Sequence, residues 1–347
     1  MKTDKPKKYD ILRKISHELY TNSRVSISEL VNKLNLSHRA VSKYLQELEE
    51  NNSLYYTLDL DPCLLGFTEP KLIAIKFSHP PKITLLKKRF KNDKSVQNAY
   101  FGSGDFDLIV HLVCKNQNAY IAWLFQFRVE FSNYKPIVKV SSLNDNAEGF
   151  LPLRADLIMG STEITDAEKL VLFELIKNSR IKLKELQAIT NLTQMKTIYS
   201  MDKLHKRGII RRFTTCIQNP NAKLFAFLSL TLIPTEDHKP HLQTQLINKI
   251  IESENSEPLQ LTTNYSVIYD TAGTFDSIFF CSFKDAADMD ENGPSVFEKI
   301  WESEYPKFER CILTDLIVGK WPFNSNGYTK WREVLKPGTL HTIKAYV

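Results

Sequence analysis

The chain has 347 residues, of which 42% are hydrophobic and 25% charged, and its formal net charge is +6. This length favours two or more compact units, and the composition excludes a disordered, collagen-like or disulfide-stapled chain. No apolar stretch approaches the roughly 20 residues that span a bilayer, and the basic start is not followed by the apolar region of a secretory signal. We therefore expect a cytoplasmic protein that does not enter a membrane.

The first unit, A, covers residues 1–62 and is predicted to consist of three short helices and a strand pair. Three segments have apolar residues at helical spacing: 11–19, 28–34 and 38–50. The third helix follows the turn Asn35-Leu36-Ser37, in which the Ser hydroxyl is a typical N-cap. The aromatic and β-branched run 54–58 predicts the start of a wing. Two helices joined by a short turn and followed by a wing predict a winged helix-turn-helix.

The second unit, B, covers residues 63–152 and alternates strand and helix patterns. The segments, in the order βαββαβ, are 71–77, 83–90, 95–102, 106–114, 118–131 and 135–142. This order is typical of the ferredoxin-like fold. A Gly-x-Phe-Asp pattern at 104–107 lies at the tight link between the second and third strands. The fold class is therefore α+β.

Both units then recur. Residues 178–210 align without a gap on 22–54 at an offset of 156, and the tripeptide Asn-Ser-Arg is identical in both copies. Unit A′, residues 160–217, has predicted helices over 167–176, 183–189 and 194–206, the turn Asn191-Leu192-Thr193, a C-cap candidate at Gly208 and a wing over 209–213.

Unit B′, residues 218–320, repeats the βαββαβ order, and its Gly-x-Phe-Asp is at 273–276. Its segments are 224–233, 242–252, 260–269, 275–283, 294–303 and 308–318. Residues 321–347 form an aromatic C-terminal tail outside both copies.

Charge is unevenly distributed along this A-B-A′-B′ order. Residues 161–215 hold 11 basic and 6 acidic groups, whereas residues 216–347 hold 12 basic and 17 acidic groups. A basic excess that ends near residue 215 indicates a polyanionic partner on one side of the molecule.

Together these motifs resemble the Lrp/AsnC (leucine-responsive regulatory protein) family of transcription regulators. The resemblance rests on the winged helix-turn-helix, then Asp61-Pro62-Cys63-Leu64-Leu65-Gly66, then the βαββαβ unit with its Gly-x-Phe-Asp. It covers about residues 9–320, twice, and the second copy departs from it at 219–223.

The resemblance implies a regulator that binds double-stranded DNA and is not an enzyme. It also implies that the B units sense an amino-acid-like small-molecule effector and pair with each other. Because both copies lie in one chain, we expect B to pack on B′ as an internal pseudo-dimer, and further homo-oligomerisation stays open.

The candidate DNA-binding residues lie on the third helix of each A unit and on the second wing. Those of unit A are Ser37, His38, Arg39, Ser42 and Lys43. Those of unit A′ are Thr193, Gln194, Lys196 and Tyr199, with Arg211 and Arg212 for phosphate contacts. The second helix is less basic and more apolar than the first, so base reading by it stays open.

The candidate effector-binding residues are Gly104, Asp107, Gly273 and Asp276, at the two Gly-x-Phe-Asp links. The alternative is that Gly and Asp simply form a turn there.

No cofactor or metal is expected. The five cysteines are scattered, and His238 and His241 have no ligand at metal-binding spacing. The alternative function is that of a sirohaem decarboxylase-like tetrapyrrole enzyme, since such enzymes have a similar layout and residues 208–212 and 263–265 are faintly similar to them. The absence of His before Asn264 weakens that alternative.

Overall fold

The computed structural model describes residues 8–50, 54–148, 150–217, 223–231, 265–292 and 307–319. The helices are α1 (Lys8–Thr21), α2 (Ile27–Leu34), α3 (His38–Glu50), α4 (Ile83–Lys91), α5 (Gln117–Glu130), α6 (Ala155–Ile158), α7 (Asp166–Lys177), α8 (Leu183–Thr190), α9 (Gln194–Lys206) and α10 (Ala286–Asn292). The strands are β1 (Leu54–Leu60), β2 (Glu69–Lys76), β3 (Val96–Gly104), β4 (Leu108–Cys114), β5 (Ile137–Glu148), β6 (Ile210–Ile217), β7 (Leu224–Thr231), β8 (Tyr265–Gly273), β9 (Ser277–Phe283) and β10 (Lys307–Val318). Among these helices, none is long and apolar enough to cross a bilayer.

The helices of both A units confirm the sequence prediction, and the turn chemistry explains where they end. Asn35 and Asn191 cap α2 and α8 in the left-handed region, with φ of 52° and 54°, which Asn tolerates better than most residues. The hydroxyls of Ser37 and Thr193 accept hydrogen bonds from backbone N–H groups in the first turns of α3 and α9. The predicted helices over 242–252 and 294–303 and the aromatic tail lie outside the described residues.

The wing differs from the prediction. Each A unit contributes one strand rather than a strand pair, and β1 and β6 form a two-stranded antiparallel ribbon across the repeat. The chain after β1 turns at once, because the Asp61 carboxylate accepts from the backbone N–H of Cys63 and a short 3-10 turn follows. No room is left there for a second strand of the same unit. We refer to the β1–β6 pair as the ribbon.

The two helix-turn-helix units contact each other about a pseudo-twofold axis. The Oγ atoms of Ser23 and Ser179, which are equivalent in the repeat, are 2.7 Å apart and buried. Arg24 donates to the carbonyl of Ser179 at 2.9 Å, and Arg180 donates to the carbonyl of Val25 at 3.1 Å. The tripeptide that recurs identically in the sequence therefore lies at this contact.

The ribbon extends the same symmetry. The hydroxyl of Thr57 in β1 donates to the carbonyl of Ile176 in the second half, at 2.9 Å. The hydroxyl of Thr214 in β6 donates to the carbonyl of Tyr20 in the first half, at 2.6 Å. Thr57 and Thr214 face each other in the ribbon, and Tyr20 and Ile176 are equivalent at the repeat offset of 156, so each half is held by the strand of the other.

Units B and B′ form one closed eight-stranded barrel, as the predicted internal pseudo-dimer requires. The strand order is β10-β3-β4-β2-β5-β8-β9-β7, so the two four-stranded antiparallel sheets join through β5–β8 and β10–β3. The order within each sheet is that of a ferredoxin-like unit. The interior is filled by a buried cluster that includes Tyr100, Phe106, Phe227, Phe275 and Phe280, and α4 and α5 cover the outside of unit B.

Candidate nucleic-acid interface

The first recognition helix, α3, separates an apolar inner face from a polar outer face. Val41, Leu45 and Leu48 are buried against α1 and α2. Of the predicted DNA-binding residues, Ser37, His38, Arg39 and Lys43 are exposed and Ser42 is half-buried. Arg39 and Lys43 are one helical turn apart, so their charges lie on the same side of the helix. This face can bind phosphates and the edges of bases.

The second recognition helix, α9, is anchored in the same way but presents different chemistry. Thr197, Ser200 and Leu204 are buried. The predicted residues Thr193, Gln194, Lys196 and Tyr199 are all exposed. Apolar side chains are exposed among them, with Met195 at 84%, Tyr199 at 66% and Ile198 at 40% of their full accessibility.

The wing arginines, predicted to contact phosphates, are held by carboxylates of the other half. Arg212 donates from two nitrogens to one oxygen of the buried Asp59, at 2.8 and 3.1 Å, and also bonds the hydroxyl of Tyr20. Burial alone lowers the pKa of Arg212, but Tyr20 and Asp59 raise it above its ordinary value. Arg211 pairs with Asp61 at 2.9 Å. Both arginines therefore join β6 to the first half of the chain, and their contact with phosphate stays a prediction.

The Gly-x-Phe-Asp links lie at the two seams where units B and B′ join. A Cβ atom on Gly104 would lie 2.5 Å from the carbonyl oxygen of Arg310, and one on Gly273 would lie 2.5 Å from that of Val140. Both glycines have positive φ, 130° and 142°, so they combine a close approach with a backbone conformation that favours Gly.

The aspartates of these links are also engaged within the barrel. The buried carboxylate of Asp107 accepts from Lys76 at 2.8 Å and from the backbone N–H of Phe77 at 2.9 Å. The backbone N–H of Asp276 donates to the carbonyl of Leu230. The two glycines thus lie where the units meet, whereas each aspartate is bonded within its own unit, Asp107 to Lys76 and Phe77 and Asp276 to Leu230. Their contact with an effector stays a prediction.

A small cavity of about 80 Å³ lies between the ribbon and the barrel. Its lining includes Asp61, His111, Leu151, Arg211 and Tyr269. Burial lowers the pKa of His111 to about 3, so the ring is neutral and accepts through Nδ1 from Asn98 at 3.1 Å. Sequence reasoning did not find this cavity, because its lining comes from five separate parts of the chain.

Comparison with known proteins identifies the DNA-binding module. Residues 10–52 and 164–211 each match the family described as winged helix-turn-helix DNA-binding. A curated HTH-type transcriptional regulator of Pyrococcus furiosus is 30% identical over 102 residues, which cover 29% of this chain and 68% of the relative. The chain belongs to the winged helix-turn-helix transcriptional regulators. In each copy that module is followed by a four-stranded antiparallel sheet with the strand order of a ferredoxin-like unit.

Solved structures are similar to this chain over different lengths. The sirohaem decarboxylase NirDL is 13% identical, with a TM-score of 0.56, and the match covers 96% of this chain and 99% of that one. An AsnC family transcriptional regulator from Agrobacterium tumefaciens is 19% identical, with a TM-score of 0.35 over 42% of this chain and 96% of its own. The likeness to NirDL is one of fold, and it extends over both copies.

Proposed function

We propose that this chain is a sequence-specific transcription regulator in which one polypeptide supplies both DNA-reading helices of a regulator dimer. The observation that carries the proposal is the reciprocal contact between the two helix-turn-helix units, through Ser23 and Ser179 and through the arginines beside them. In dimeric helix-turn-helix proteins, recognition helices related by a twofold axis read two half-sites about one helical turn apart. We propose double-stranded DNA as its partner and the cytoplasm as its location.

The chemistry of α3 supports direct contact with DNA. Arg39 and Lys43 are exposed near the N-terminal half of the helix, where helix-turn-helix proteins contact base edges. Arginine and lysine donate to the N7 and O6 acceptors of guanine, and any of their charges that lie against a phosphate release counterions.

Effector control is the second part of the proposal. A small molecule bound at the seams or in the cavity below the ribbon would alter how the barrel supports the ribbon. The ribbon holds both helix-turn-helix units, so the spacing of α3 and α9 would change with it. The resemblance to Lrp/AsnC regulators supports an amino-acid-like effector.

A salt series on DNA binding tests the regulator proposal. Purified chain is titrated on its own upstream DNA and on random duplex, as wild type and as Arg39→Ala/Lys43→Ala. Specific sites are bound about 10³-fold or more tightly than random DNA, and each phosphate contact adds about 0.9 to the salt slope. We expect the double variant to lose specificity.

The matched control is Lys87→Ala/Lys88→Ala, which removes two exposed charges from α4 on the barrel and should leave specificity unchanged. Weak binding that is the same on all duplexes would contradict the proposal.

The tetrapyrrole enzyme remains the alternative because the likeness to NirDL extends over the whole chain. We propose a protein without enzymatic activity, because both helix-turn-helix units match the DNA-binding family and the curated relative is a transcriptional regulator. A Soret-band shift on adding sirohaem to the purified chain, with conversion of the sirohaem to a product that has lost carboxyl groups as CO2, would favour the enzyme instead.

A further inference from the structure

The two recognition helices differ at the positions that face outward. At the repeat offset of 156, Arg39, Ser42 and Lys43 of α3 correspond to Met195, Ile198 and Tyr199 of α9. The inner face has not changed its role, since Val41 and Leu48 and their equivalents Thr197 and Leu204 are all buried. Within the recognition helix, these replacements of polar and basic side chains by apolar ones therefore lie on the surface that would meet DNA.

These apolar side chains are presented to a partner. Met195 is 84% exposed, Tyr199 66% and Ile198 40%. Ile198 and Tyr199 are three and four positions after Met195, so the three side chains lie together on one side of the helix. The exposed Gln194 is at the N-terminus of that helix. Scattered exposed apolar residues are ordinary, but three clustered at the reading position of a helix-turn-helix call for a ligand with apolar groups.

The major groove offers one apolar group, the C5-methyl of thymine. Methyl contacts from apolar side chains and bidentate bonds from Gln to adenine are the readout of T·A pairs, whereas Arg and Lys read guanine. The groups that read T·A pairs are on α9, at Gln194, Met195 and Ile198. The groups that read guanine are on α3, at Arg39 and Lys43.

We infer that the chain recognises a non-palindromic operator, with a guanine-containing half-site under α3 and a thymine-rich half-site under α9. This inference rests on the proposed DNA-binding function and adds the base composition of each half-site. The pseudo-twofold axis supports it, because it presents α9 to the duplex in the same way as α3. Charge also supports it, because the exposed Lys196 lies among the apolar side chains and the exposed Lys206 and Arg207 end the same helix, and such cations suit a polyanion better than an apolar protein surface.

Single-atom changes in the DNA test the inference. Selection from random duplexes gives the preferred operator, and each half-site is then resynthesised with uracil for thymine, which removes only the methyl group. We expect affinity to fall about fourfold for each contacted methyl, from about 0.8 kcal/mol per buried methyl-sized group, when uracil is in the half-site under α9. Uracil in the other half-site should have no effect. Conversely, 7-deazaguanine, which lacks the N7 acceptor, should weaken binding only in the half-site under α3.

Variants assign each half-site to its helix. Met195→Ala/Ile198→Ala should weaken binding to the thymine-containing operator and remove its sensitivity to uracil. The matched control is Ile189→Ala on α8, which is 52% exposed but lies outside the recognition helix, and it should behave as wild type.

The outcomes separate this inference from the function on which it rests. Absence of any sequence-specific binding would contradict the proposed function itself. Specific binding to a palindromic operator, or an equal effect of uracil in both half-sites, would overturn the inference alone. Specific binding that is indifferent to Met195→Ala/Ile198→Ala would also overturn it and would assign the apolar cluster to a protein partner.

Discussion

Replacing Asp59 by Asn should destabilise the chain more than any other single charge change on the ribbon. The Asp59 side chain is 4% exposed and that of Arg212 is 31% exposed. Arg212 donates two hydrogen bonds to one oxygen of Asp59, and its guanidinium carbon lies 4.4 Å from the centroid of the Tyr20 ring. The pair joins β6 of the second half to β1 of the first.

The expected loss follows from what remains after the substitution. Removing one member of a buried ion pair costs about 3–5 kcal/mol, because the other charge is left buried without its partner. Arg212 retains some solvent contact, so we expect about 3 kcal/mol, at the lower end. The neighbouring pair of Asp61 and Arg211 is more exposed, at 20% and 41%, so Asp61→Asn should cost about 1 kcal/mol or less.

A double-mutant cycle measured by urea unfolding checks this reasoning. The variants are Asp59→Asn, Arg212→Met and the two combined, with Asp61→Asn as the control. We expect the combined variant to lose less free energy of unfolding than the sum of the singles by at least about 1 kcal/mol. Additive effects, or equal losses for Asp59→Asn and Asp61→Asn, would refute the claim that this pair holds the ribbon together.

Three further changes probe the barrel. Burial lowers the pKa of His111 to about 3, below the roughly 6.5 of an unfolded chain, so the unfolded state binds more protons between these values. Stability should therefore fall by about 2 kcal/mol from pH 7 to pH 5, and urea midpoints should show this dependence removed in His111→Gln. Gly104→Ala should cost about 2–3 kcal/mol, because of its positive φ and the Arg310 carbonyl 2.5 Å from the new Cβ. The control is Gly160→Ala, whose Cβ would lie 3.3 Å from a backbone oxygen and which should lower the melting temperature much less than Gly104→Ala. Equal losses for the two variants would contradict the claim that Gly104 is required for the close approach of β3 and β10. Glu309→Lys would replace the 2.6 Å pair with Lys139 by two like charges. Glu309→Lys should lower the free energy of unfolding by about 2 kcal/mol or more. The charge-swapped variant Lys139→Glu/Glu309→Lys should recover most of that loss in thermal unfolding. No recovery would show that the pair does not contribute to stability.

Local structure could be predicted wherever the signal was contained in a few neighbouring residues. The bounds of α3 and α9 follow from the Asn-Leu-Ser and Asn-Leu-Thr turns, because a left-handed Asn and a hydroxyl cap specify both a helix end and the next helix start. The βαββαβ order followed in the same way from alternating patterns and a tight glycine link.

The partners of these elements could not be predicted in the same way. A strand pattern shows which side is buried but does not name the neighbouring strand. Thus β1 was assigned to a wing of its own unit, whereas it pairs with β6, about 150 residues away. The same distance hid the carboxylates that hold Arg211 and Arg212, so the sequence predicted phosphate contacts for these arginines but not their pairing with Asp61 and Asp59.

One signal in the sequence did point to the interface between the halves. The identical Asn-Ser-Arg of the two repeats lies where a side chain meets its own repeat equivalent, as Ser23 meets Ser179. Residues beside a twofold axis must suit both copies at once, so they have less freedom to diverge than the outward residues Arg39 and Met195.

The central claim is that one chain reads DNA with two unlike recognition helices. A hydroxyl-radical footprint on the selected operator tests it most directly, with saturating wild-type protein and with the saturating variant Arg39→Ala/Lys43→Ala. The account predicts two protected patches of different sequence, about one helical turn or 34 Å apart, of which the variant loses only the guanine-containing one. A palindromic footprint whose two patches weaken equally in the variant would contradict it.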